Sequence, residues 1–469
     1  MRSITEKLIH EKETECRIEG FLKKYKVGNK LSKANVYKVK GYSVSELIKY
    51  LIELVFTKKS MYMNIKNGTN GAKFGKDTVY RFLNSSHINW TSFLLQLAIV
   101  VIVGLRQLTS EERKCAIVID DTLHERARSK KVELLSNVHD HVAKSGSKYK
   151  RGFRMLTAGW TDGASFIPLQ YRHLSSQDSK NRYNEINAKI DKRSVGYKIR
   201  KQAISGATQM MLSMLRDIKK ACIPAKHVLF DSWFSYPSTM MSIHAIGFDV
   251  IGRLKDTKKI KYLVGNEKKT LKEIYASNKK NRGRAKHLLS VEVLLYNDKD
   301  ETLPARIVYV RDRNKRNKWI AFCSTDMSLS EKDIIALYGK RWDIEVFFKI
   351  CKSYLNLGKE FQGLSYDFIT AHTAIVLTRY IMLAVDKRSQ DDPRSIGELF
   401  FLMYDEIPDK GFSEVIEVIL TCLHEALTEC SSLSDDEINR IIDLFIDKLS
   451  SVFKRAFRSK NNDFDTSCA

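Results

Sequence analysis

The sequence predicts an α/β protein whose core of strands and helices is interrupted by a β-rich insertion and flanked by helical regions. Short apolar runs such as "AIVI" and "HVLF" in the middle of the chain are typical of buried strands, and longer helical patterns alternate with them. Three further apolar runs after a lysine-rich stretch predict antiparallel strands. The first part of the chain shows mainly helical periodicity.

Residues 1–112 are predicted to form a helical N-terminal region. The stretch "GYSVSELIKYLIELVFTKK" carries apolar residues at helical spacing. The later stretch "KDTVYRFLNSSHINWTSFLLQLA" predicts two helices joined by a polar turn. That pattern is compatible with a helix-turn-helix whose second helix enters a DNA major groove. Helix pairs are also common in any helical core, so both interpretations stay open.

Residues 113–254 are predicted to form the first part of the core. A strand over "CAIVIDD" would end in Asp120 and Asp121, and a hairpin would follow around "TDGA". One long helix is predicted over residues 195–223. The strand "HVLF" then ends in Asp231, and a helix and another strand follow.

Residues 255–328 are predicted to be a basic, β-rich insertion, and residues 329–388 the closing helices of the core. A long helix begins near "SLSEKD" and continues through "YGKRWDIEVFFKICK". At about 100° per residue, one narrow stripe is shared by Tyr338, Arg341, Glu345, Lys349 and Lys352. Most other positions are apolar, which predicts a helix packed on most sides with its polar stripe toward a cleft. The alternative is the solvated edge of a core helix.

The charge of the chain indicates a polyanionic partner. Its 469 residues hold 80 Lys and Arg against 55 Asp and Glu, a net charge of +25. The excess is concentrated at 253–286, with thirteen basic and three acidic residues, whereas 391–450 has four basic and fifteen acidic. We therefore expect a basic middle that lies on nucleic acid and an acidic, helical C-terminal region at 389–469.

Membrane insertion and secretion are not expected. The apolar run "FLLQLAIVVIVGL" is too short to span a bilayer, and "AHTAIVLTRYIMLAV" contains Arg379, so both predict buried core helices. The N-terminal residues lack an apolar signal segment, and the eight cysteines form no C-x-x-C pair. These features favour the reducing cytoplasm.

Three groups of carboxylates form the candidate catalytic constellation. Functional groups gather at the carboxyl ends of strands in an α/β sheet, where the predicted strands bring Asp120–Asp121 and Asp231. With Glu345 they would repel one another unless cations neutralise them. Oxygen ligands suit Mg²⁺ or Mn²⁺, and two such ions about 3.5–4 Å apart support phosphoryl transfer. We predict Asp121, Asp231 and Glu345 as catalytic metal ligands, although spacing alone does not choose between Asp120 and Asp121.

The cations of the stripe complete the predicted site. Tyr338, Arg341 and Lys352 would hold phosphates beside the metal, because arginine grips phosphate through two hydrogen bonds and lysine acts as a point charge.

These residues together resemble DDE transposases of the bacterial insertion-sequence-four type. The pattern Y-x-x-R-x-x-x-E-x-x-x-x-x-x-K, met by Tyr338, Arg341, Glu345 and Lys352, is similar to that family's signature, and "IDDT" and "FDSWF" are similar to its aspartate motifs. The resemblance implies an RNase H-like catalytic core with a β-rich insertion before the glutamate helix. It also implies an N-terminal DNA-binding region and a C-terminal region used in dimer contacts. By this resemblance the aspartate directly before Thr122, Asp121, is the ligand.

The implied activity is that of a DNA transposase. Such an enzyme binds terminal inverted repeats, cleaves at the element ends with the help of a divalent metal, and joins the freed ends to target DNA. A homodimer would hold two ends. An inactive repressor that occupies the same repeats and a nuclease that never joins strands remain alternatives.

Further DNA contacts are predicted outside the stripe. Trp319 falls in the last insertion strand, where similar transposases place an aromatic side chain that stacks on an unpaired base. Lys150 and Arg151 lie in the basic segment 144–154, and phosphate contacts supply most of the affinity of such segments. The alternatives are an ordinary packed tryptophan and a solvated basic loop.

Overall fold

The computed structural model describes most of the chain between residues 17 and 389. The described residues are 17–37, 40–56, 60–66, 74–108, 110, 113–140, 148–281, 285–312, 315, 318–361 and 363–389, with 396, 427, 437, 438, 440, 441 and 444 as single positions. The chain divides into two compact units, residues 12–403 and residues 1–11 with 404–469, and every element below belongs to the first. The acidic region predicted at 389–469 lies almost entirely outside the described residues, and the predicted domain boundaries stay predictions.

The described part begins with a series of helices. They are α1 (helical residues 17–24), α2 (Val27–Lys33), α3 (Val44–Glu53), α4 (Met61–Lys66), α5 (Lys76–Leu83) and α6 (Trp90–Arg106). The start of α3 is fixed by a capping box, in which Ser43 and Glu46 each accept a hydrogen bond from the other's backbone N–H.

Strands and helices then follow, including four short elements that the sequence analysis did not predict. The first group is β1 (Ala116–Glu125), β2 (Ser136–His139), β3 (Tyr149–Thr161), β4 (Phe166–Leu174), α7 (Val195–Ala203), α8 (Ala207–Lys220), β5 (His227–Phe230), α9 (Pro237–Ile246) and β6 (Asp249–Arg253). The second group is β7 (Tyr262–Val264), β8 (Glu267–Lys269), α10 (Leu271–Ser277), β9 (Leu289–Tyr296), β10 (Thr302–Arg311), β11 (Trp319–Ser324), α11 (Glu331–Gly339), α12 (Trp342–Ser353) and α13 (Tyr366–Ser389). The four short elements are β2, β7, β8 and α10.

The strands of the described part form one large mixed sheet. Its order is β2-β3-β1-β5-β6-β11-β10-β9-β7-β8, and β4 pairs with β3. Strand β1 runs antiparallel to β3 and parallel to β5, and β5 runs parallel to β6. The predicted insertion is continuous with the core, because β11 pairs antiparallel with β6 between Cys323 and Gly252. The structure therefore confirms a mixed α/β architecture.

Two elements differ from the lengths predicted from sequence. Strand β1 does not end at the aspartates but continues to Glu125, since its pairing with β3 extends through residue 125. The single helix predicted over residues 195–223 is two helices. Gly206 has an extended backbone as the N-cap of α8 (φ −64°, ψ 142°), and glycine is a poor helix former.

The helix that carries the predicted stripe is also interrupted. Helices α11 and α12 are separated by Lys340 and Arg341, where the Arg341 N–H bonds to the Tyr338 carbonyl three residues back. Bonds of this kind are typical of a tight 3₁₀ turn. The expectation that the helix is packed on most sides is wrong, because Trp342 is 61% exposed and Val346 is 43% exposed.

Helices α6 and α13 form the centre of the helical layer. Helix α6 packs on α13 and β4, and residues along its length are buried. The residues that are buried form one face of α6, as expected for a core helix. Its other face includes Val103, which is 58% exposed, and the helix-turn-helix role suggested for α6 stays a prediction.

The apolar helix α13 is a core helix. Its residues Tyr366–Arg388 are long and apolar enough to cross a membrane, but the apolar window is entirely buried inside the protein. Arg379 within it is fully buried and pairs with Glu360, with 2.9 Å between Nη1 and Oε2. At the start of α13, buried Arg200 of α7 bonds both Glu133 Oε1 (2.6 Å) and Asp367 Oδ2 (2.7 Å). These ion pairs connect α13 with α7 and with the connecting segments that contain Glu133 and Glu360.

Candidate active site

The carboxyl end of β5 lies beside the middle of β1. Val118 of β1 pairs with Leu229 of β5 in parallel register, so Asp120 and Asp231 each lie two residues beyond this pair. Neighbouring positions in a parallel register share a face, and side chains alternate along a strand. The local strand geometry therefore directs Asp120 and Asp231 toward the same side.

Helix α12 brings the third carboxylate to this side through an arginine. Arg341 Nη1 lies 3.2 Å from Asp120 Oδ2, and Arg341 Nη2 also bonds Glu345 Oε1. Helix α12 packs against β1, which holds the arginine over the strand. The guanidinium thus links Asp120 to Glu345, residues separated by more than two hundred positions in the sequence.

The carboxyl group of Asp120 is largely buried. Burial raises its pKa to about 7, and the charges of Asp121 and Asp231 act in the same direction. Its Oδ1 accepts a hydrogen bond from the Asp121 N–H at 2.8 Å, and this bond and Arg341 only partly offset the burial. A buried carboxyl with nearby like charges gains free energy from an added cation.

Asp121 faces a different partner. Its Oδ1 accepts a hydrogen bond from Arg154 Nη2 of β3 at 3.1 Å, and Arg154 Nε bonds the other oxygen. Consecutive residues of a strand point to opposite faces, and the partners of the two aspartates agree with this. The structure therefore brings Asp120, Asp231 and Glu345 toward one another and joins Asp121 to Arg154.

The remaining stripe residues lie along the same helices. The Tyr338 ring packs on Phe322 with 4.4 Å between centroids, and burial raises the pKa of its hydroxyl to about 12. Lys352 Nζ donates to Thr122 Oγ1 at 2.6 Å. Thr122 is two residues beyond Asp120 and therefore shares its face of β1. Tyr338 and Lys352 thus flank the carboxylates.

The predicted basic pair on β3 is at the surface. Lys150 Nζ lies 2.9 Å from Asp140 Oδ2 and 3.7 Å from Glu125 Oε2. The Arg151 guanidinium carbon lies 5.2 Å from the centroid of the Tyr183 ring. Both side chains belong to the strand next to β1, and neither takes part in the carboxylate cluster.

Trp319 lies away from the carboxylates, in an aromatic cluster formed by α10, β10 and β11. Its ring stacks on Tyr275 with 5.3 Å between centroids and meets Tyr309 edge-on at 4.9 Å. These contacts fit the alternative of a packed tryptophan. The predicted base-stacking role of Trp319 stays a prediction.

A second group of potential metal ligands lies at the amino end of β5, whereas Asp231 follows its carboxyl end. His227, Asp249 and Asp326 offer ligand atoms that all lie within 4.8 Å of one another among the described residues. Lys226 Nζ already lies 2.6 Å from Asp326 Oδ2 and 3.4 Å from Asp249 Oδ2. His227 begins β5, whereas Asp231 follows its end, so the two groups are distinct. This single ammonium group offsets part of the negative charge of the two aspartates.

Sequence reasoning favoured Asp121 and gave no role to Arg154. The alternation of β1 was a usable signal, because Asp120 and Thr122 share one face and Asp121 faces the other. This alternation could not identify the metal ligand, because the sequence does not show which face of β1 is covered by α12. Arg154 carried no sequence signal, since it is one of many cations in a basic segment.

The part of the chain that contains the three aspartates matches a known protein family. Residues 50–277 match the sequence model of the DDE superfamily endonuclease family. The matched part includes Asp120, Asp121 and Asp231 and ends before α12 with Glu345. No curated protein matches the chain. The match supports an enzyme of the DDE transposase or endonuclease type that acts on DNA.

Proposed function

We propose that the protein is a DNA transposase that uses a DDE mechanism. The observation that carries this proposal is the Arg341 bridge between Asp120 and Glu345, with Asp231 close enough to raise the pKa of Asp120. Three carboxylates from three separate segments converge there. The family match over residues 50–277 supports nuclease or transposase chemistry at such a site.

The acidic residues suit a divalent metal. We propose Asp120, Asp231 and Glu345 as its ligands, in place of the set that contained Asp121. Asp120 lies on the face of β1 that meets Arg341 and Lys352, whereas Asp121 faces Arg154 on the other side. Carboxylate oxygens favour Mg²⁺, with Mn²⁺ as a substitute, and divalent ions are typical of DDE nucleases. When bound, a pair of such ions supplies activation of the attacking oxygen and stabilisation of the leaving oxygen.

Residues of the chain itself would position the DNA. Arg341 and Lys352 bring positive charge beside the carboxylates, and Tyr338 adds a hydroxyl that stays protonated at neutral pH. Together they would hold the phosphates on either side of the bond that is cut. Lys150 and Arg151, at the surface of the next strand, would contact the backbone of the same duplex.

The order of strands in the sheet supports an RNase H-like core as part of the proposal. Antiparallel β3 and β1 followed by parallel β5 and β6, with further strands before the glutamate helix, fit an RNase H-like core interrupted by a β-rich insertion. We include in the proposal the insertion-sequence-four-like assignment, the terminal inverted repeats, a homodimer that holds two ends and a cytoplasmic location near the nucleoid.

A hydrolytic endonuclease is the second candidate, because the matching family is described as endonucleases. The experiment is incubation of the protein with Mg²⁺, target DNA and a labelled fragment carrying the inverted repeats that flank the reading frame. Joined products support transposition. Cleavage without joining supports the endonuclease, and retention of the fragment without cleavage supports a repressor.

Variants then test the site. Glu345→Gln is expected to abolish cleavage while DNA binding persists, because it removes one proposed ligand and leaves the cations in place. Glu292→Gln is the matched control, since Glu292 also pairs with an arginine, Arg306 at 3.1 Å, but lies in the insertion and is 69% exposed. Undiminished cleavage by Glu345→Gln would remove Glu345 from the mechanism.

A further inference from the structure

Arg154 of β3 contacts both segments that carry the proposed aspartate ligands. Its backbone pairs with Leu123 of β1, and its side chain is 25% exposed. Nη2 lies 3.1 Å from Asp121 Oδ1, and Nε bonds the other oxygen of that carboxylate. The guanidinium carbon lies 4.8 Å from the centroid of the Trp233 ring. One side chain therefore touches β1 and the segment that follows β5.

Each of these two contacts lies one hydrogen bond away from a proposed metal ligand. The Asp121 N–H donates to Asp120 Oδ1 at 2.8 Å. The Trp233 N–H donates to Asp231 Oδ1, also at 2.8 Å. Hydrogen bonds to the side chains that bind a metal set their orientation and affect the affinity for the metal. The Arg154 guanidinium thus contacts both residues whose backbone N–H groups orient the two aspartates.

The segment after β5 is anchored on its other side by β6. The Ser235 side chain is buried, and its hydroxyl donates to the Arg253 carbonyl and lies 3.1 Å from the Asp231 carbonyl. Trp233, in contrast, is 44% exposed, so burial alone does not fix its place. A cation over the face of an indole ring is attracted to it. The Arg154 contact therefore holds the part of the turn that β6 does not.

The positive charge of Arg154 on its own would disfavour a nearby metal ion. Like charges repel, so loss of the guanidinium would strengthen metal binding if charge alone mattered. The Asp121 carboxylate offsets this charge, and the two hydrogen bonds between the groups fix the plane of both. A positioning role predicts the opposite result, which is weaker metal binding. The direction of the change therefore distinguishes the two effects.

We propose that Arg154 is a positioning residue for the metal centre. Through Trp233 it fixes the turn that begins at Asp231. Through Asp121 it fixes the part of β1 that carries Asp120. The inference rests on the proposed function, because it concerns the affinity of the proposed metal centre, and it adds residues that do not themselves touch the metal.

Binding of Mn²⁺ to the full chain can be measured by electron paramagnetic resonance, without DNA and without cleavage. Asp231→Ala identifies the Mn²⁺ that belongs to the proposed centre, because it removes one ligand. For this ion, Arg154→Met is expected to raise the dissociation constant about tenfold, as for loss of a residue that orients metal ligands. Arg154→Lys keeps a cation opposite Asp121 and should recover most of the affinity. A lowered or unchanged dissociation constant with Arg154→Met would overturn the proposal.

Trp233→Ala tests the same role at the surface of the protein. It keeps the backbone N–H that bonds Asp231 but removes the ring that Arg154 contacts, and it should weaken Mn²⁺ binding in the same direction. Because the ring is 44% exposed, this variant carries the test if Arg154→Met does not fold. Adding Trp233→Ala to Arg154→Met should weaken binding little further. Losses that multiply would contradict an action of one residue through the other.

Arg306→Met is the matched control. Arg306 also pairs with a carboxylate, Glu292 at 3.1 Å, and its side chain is 19% exposed, but it lies on β10. Its Mn²⁺ affinity should stay at the wild-type value, and a loss equal to that of Arg154→Met would overturn the proposal. Equal Mn²⁺ binding by the wild type and Asp231→Ala would remove the proposed metal centre and this inference with it. Binding that depends on Asp231 but not on Arg154 would refute the positioning role alone.

Discussion

Replacing Asp120 by asparagine removes a carboxylate whose charged form is costly in the folded protein. Burial is the main cause, and the pKa is raised from 3.8 to about 7. A pKa difference of about 3 units, at about 1.4 kcal/mol per unit, means that ionising Asp120 costs roughly 4 kcal/mol more in the folded protein than in the unfolded chain. The side chain is 20% exposed, and screening by water reduces this cost. We therefore expect Asp120→Asn to avoid a cost of roughly 2–4 kcal/mol at a pH where the wild-type carboxyl group is ionised.

The sign of the pH dependence follows from linkage. The folded protein holds a proton on Asp120 more tightly than the unfolded chain does, because its pKa is raised. Between about pH 4 and about pH 7 the unfolded chain releases this proton first. The free energy of unfolding of the wild type therefore falls as pH rises through this window, and the contribution stays constant above it.

The assay is urea unfolding followed by circular dichroism in EDTA at pH 5 and pH 8. From pH 5 to pH 8, the free energy of unfolding of Asp120→Asn is expected to rise by roughly 2–3 kcal/mol relative to that of the wild type. Asp121→Asn is the matched control. It loses the ion pair with Arg154 and should show no such gain. An Asp120→Asn advantage of equal size at both pH values would refute the assignment of a raised pKa to this residue.

Two other predictions concern stability and DNA binding. Arg200→Met should lower the free energy of unfolding by roughly 3–5 kcal/mol in the same urea assay, because Glu133 and Asp367 would be left as buried charges without their partner. Arg193→Met, at a side chain that is 92% exposed, should change it by less than about 0.5 kcal/mol; equal losses would contradict the buried network. Lys352→Met should weaken duplex binding and reduce the salt dependence of log K by about 1. An unchanged salt slope would exclude a phosphate contact by Lys352.

Much of the strand and helix order could be predicted because it depends on local patterns. The apolar runs before Asp120 and before Asp231 formed strands, and the "TDGA" turn joined β3 to β4 as expected. Breaks inside helical patterns were harder to predict. Both interruptions lie at a glycine, Gly206 and Gly339, but an isolated glycine inside a helical pattern is often tolerated, so its presence alone does not predict a break.

The sequence by itself determined that acidic residues follow or lie within buried strands, and that Glu345 shares a helical stripe with Arg341. Local periodicity is enough for both statements. Tertiary structure decided which of Asp120 and Asp121 joins that glutamate, because α12 covers one face of β1 and Arg154 meets the other. It also decided that Trp319 is packed on Tyr275. Contacts between residues far apart in the chain have no counterpart in the periodicity of either segment, so only the folded arrangement reveals them.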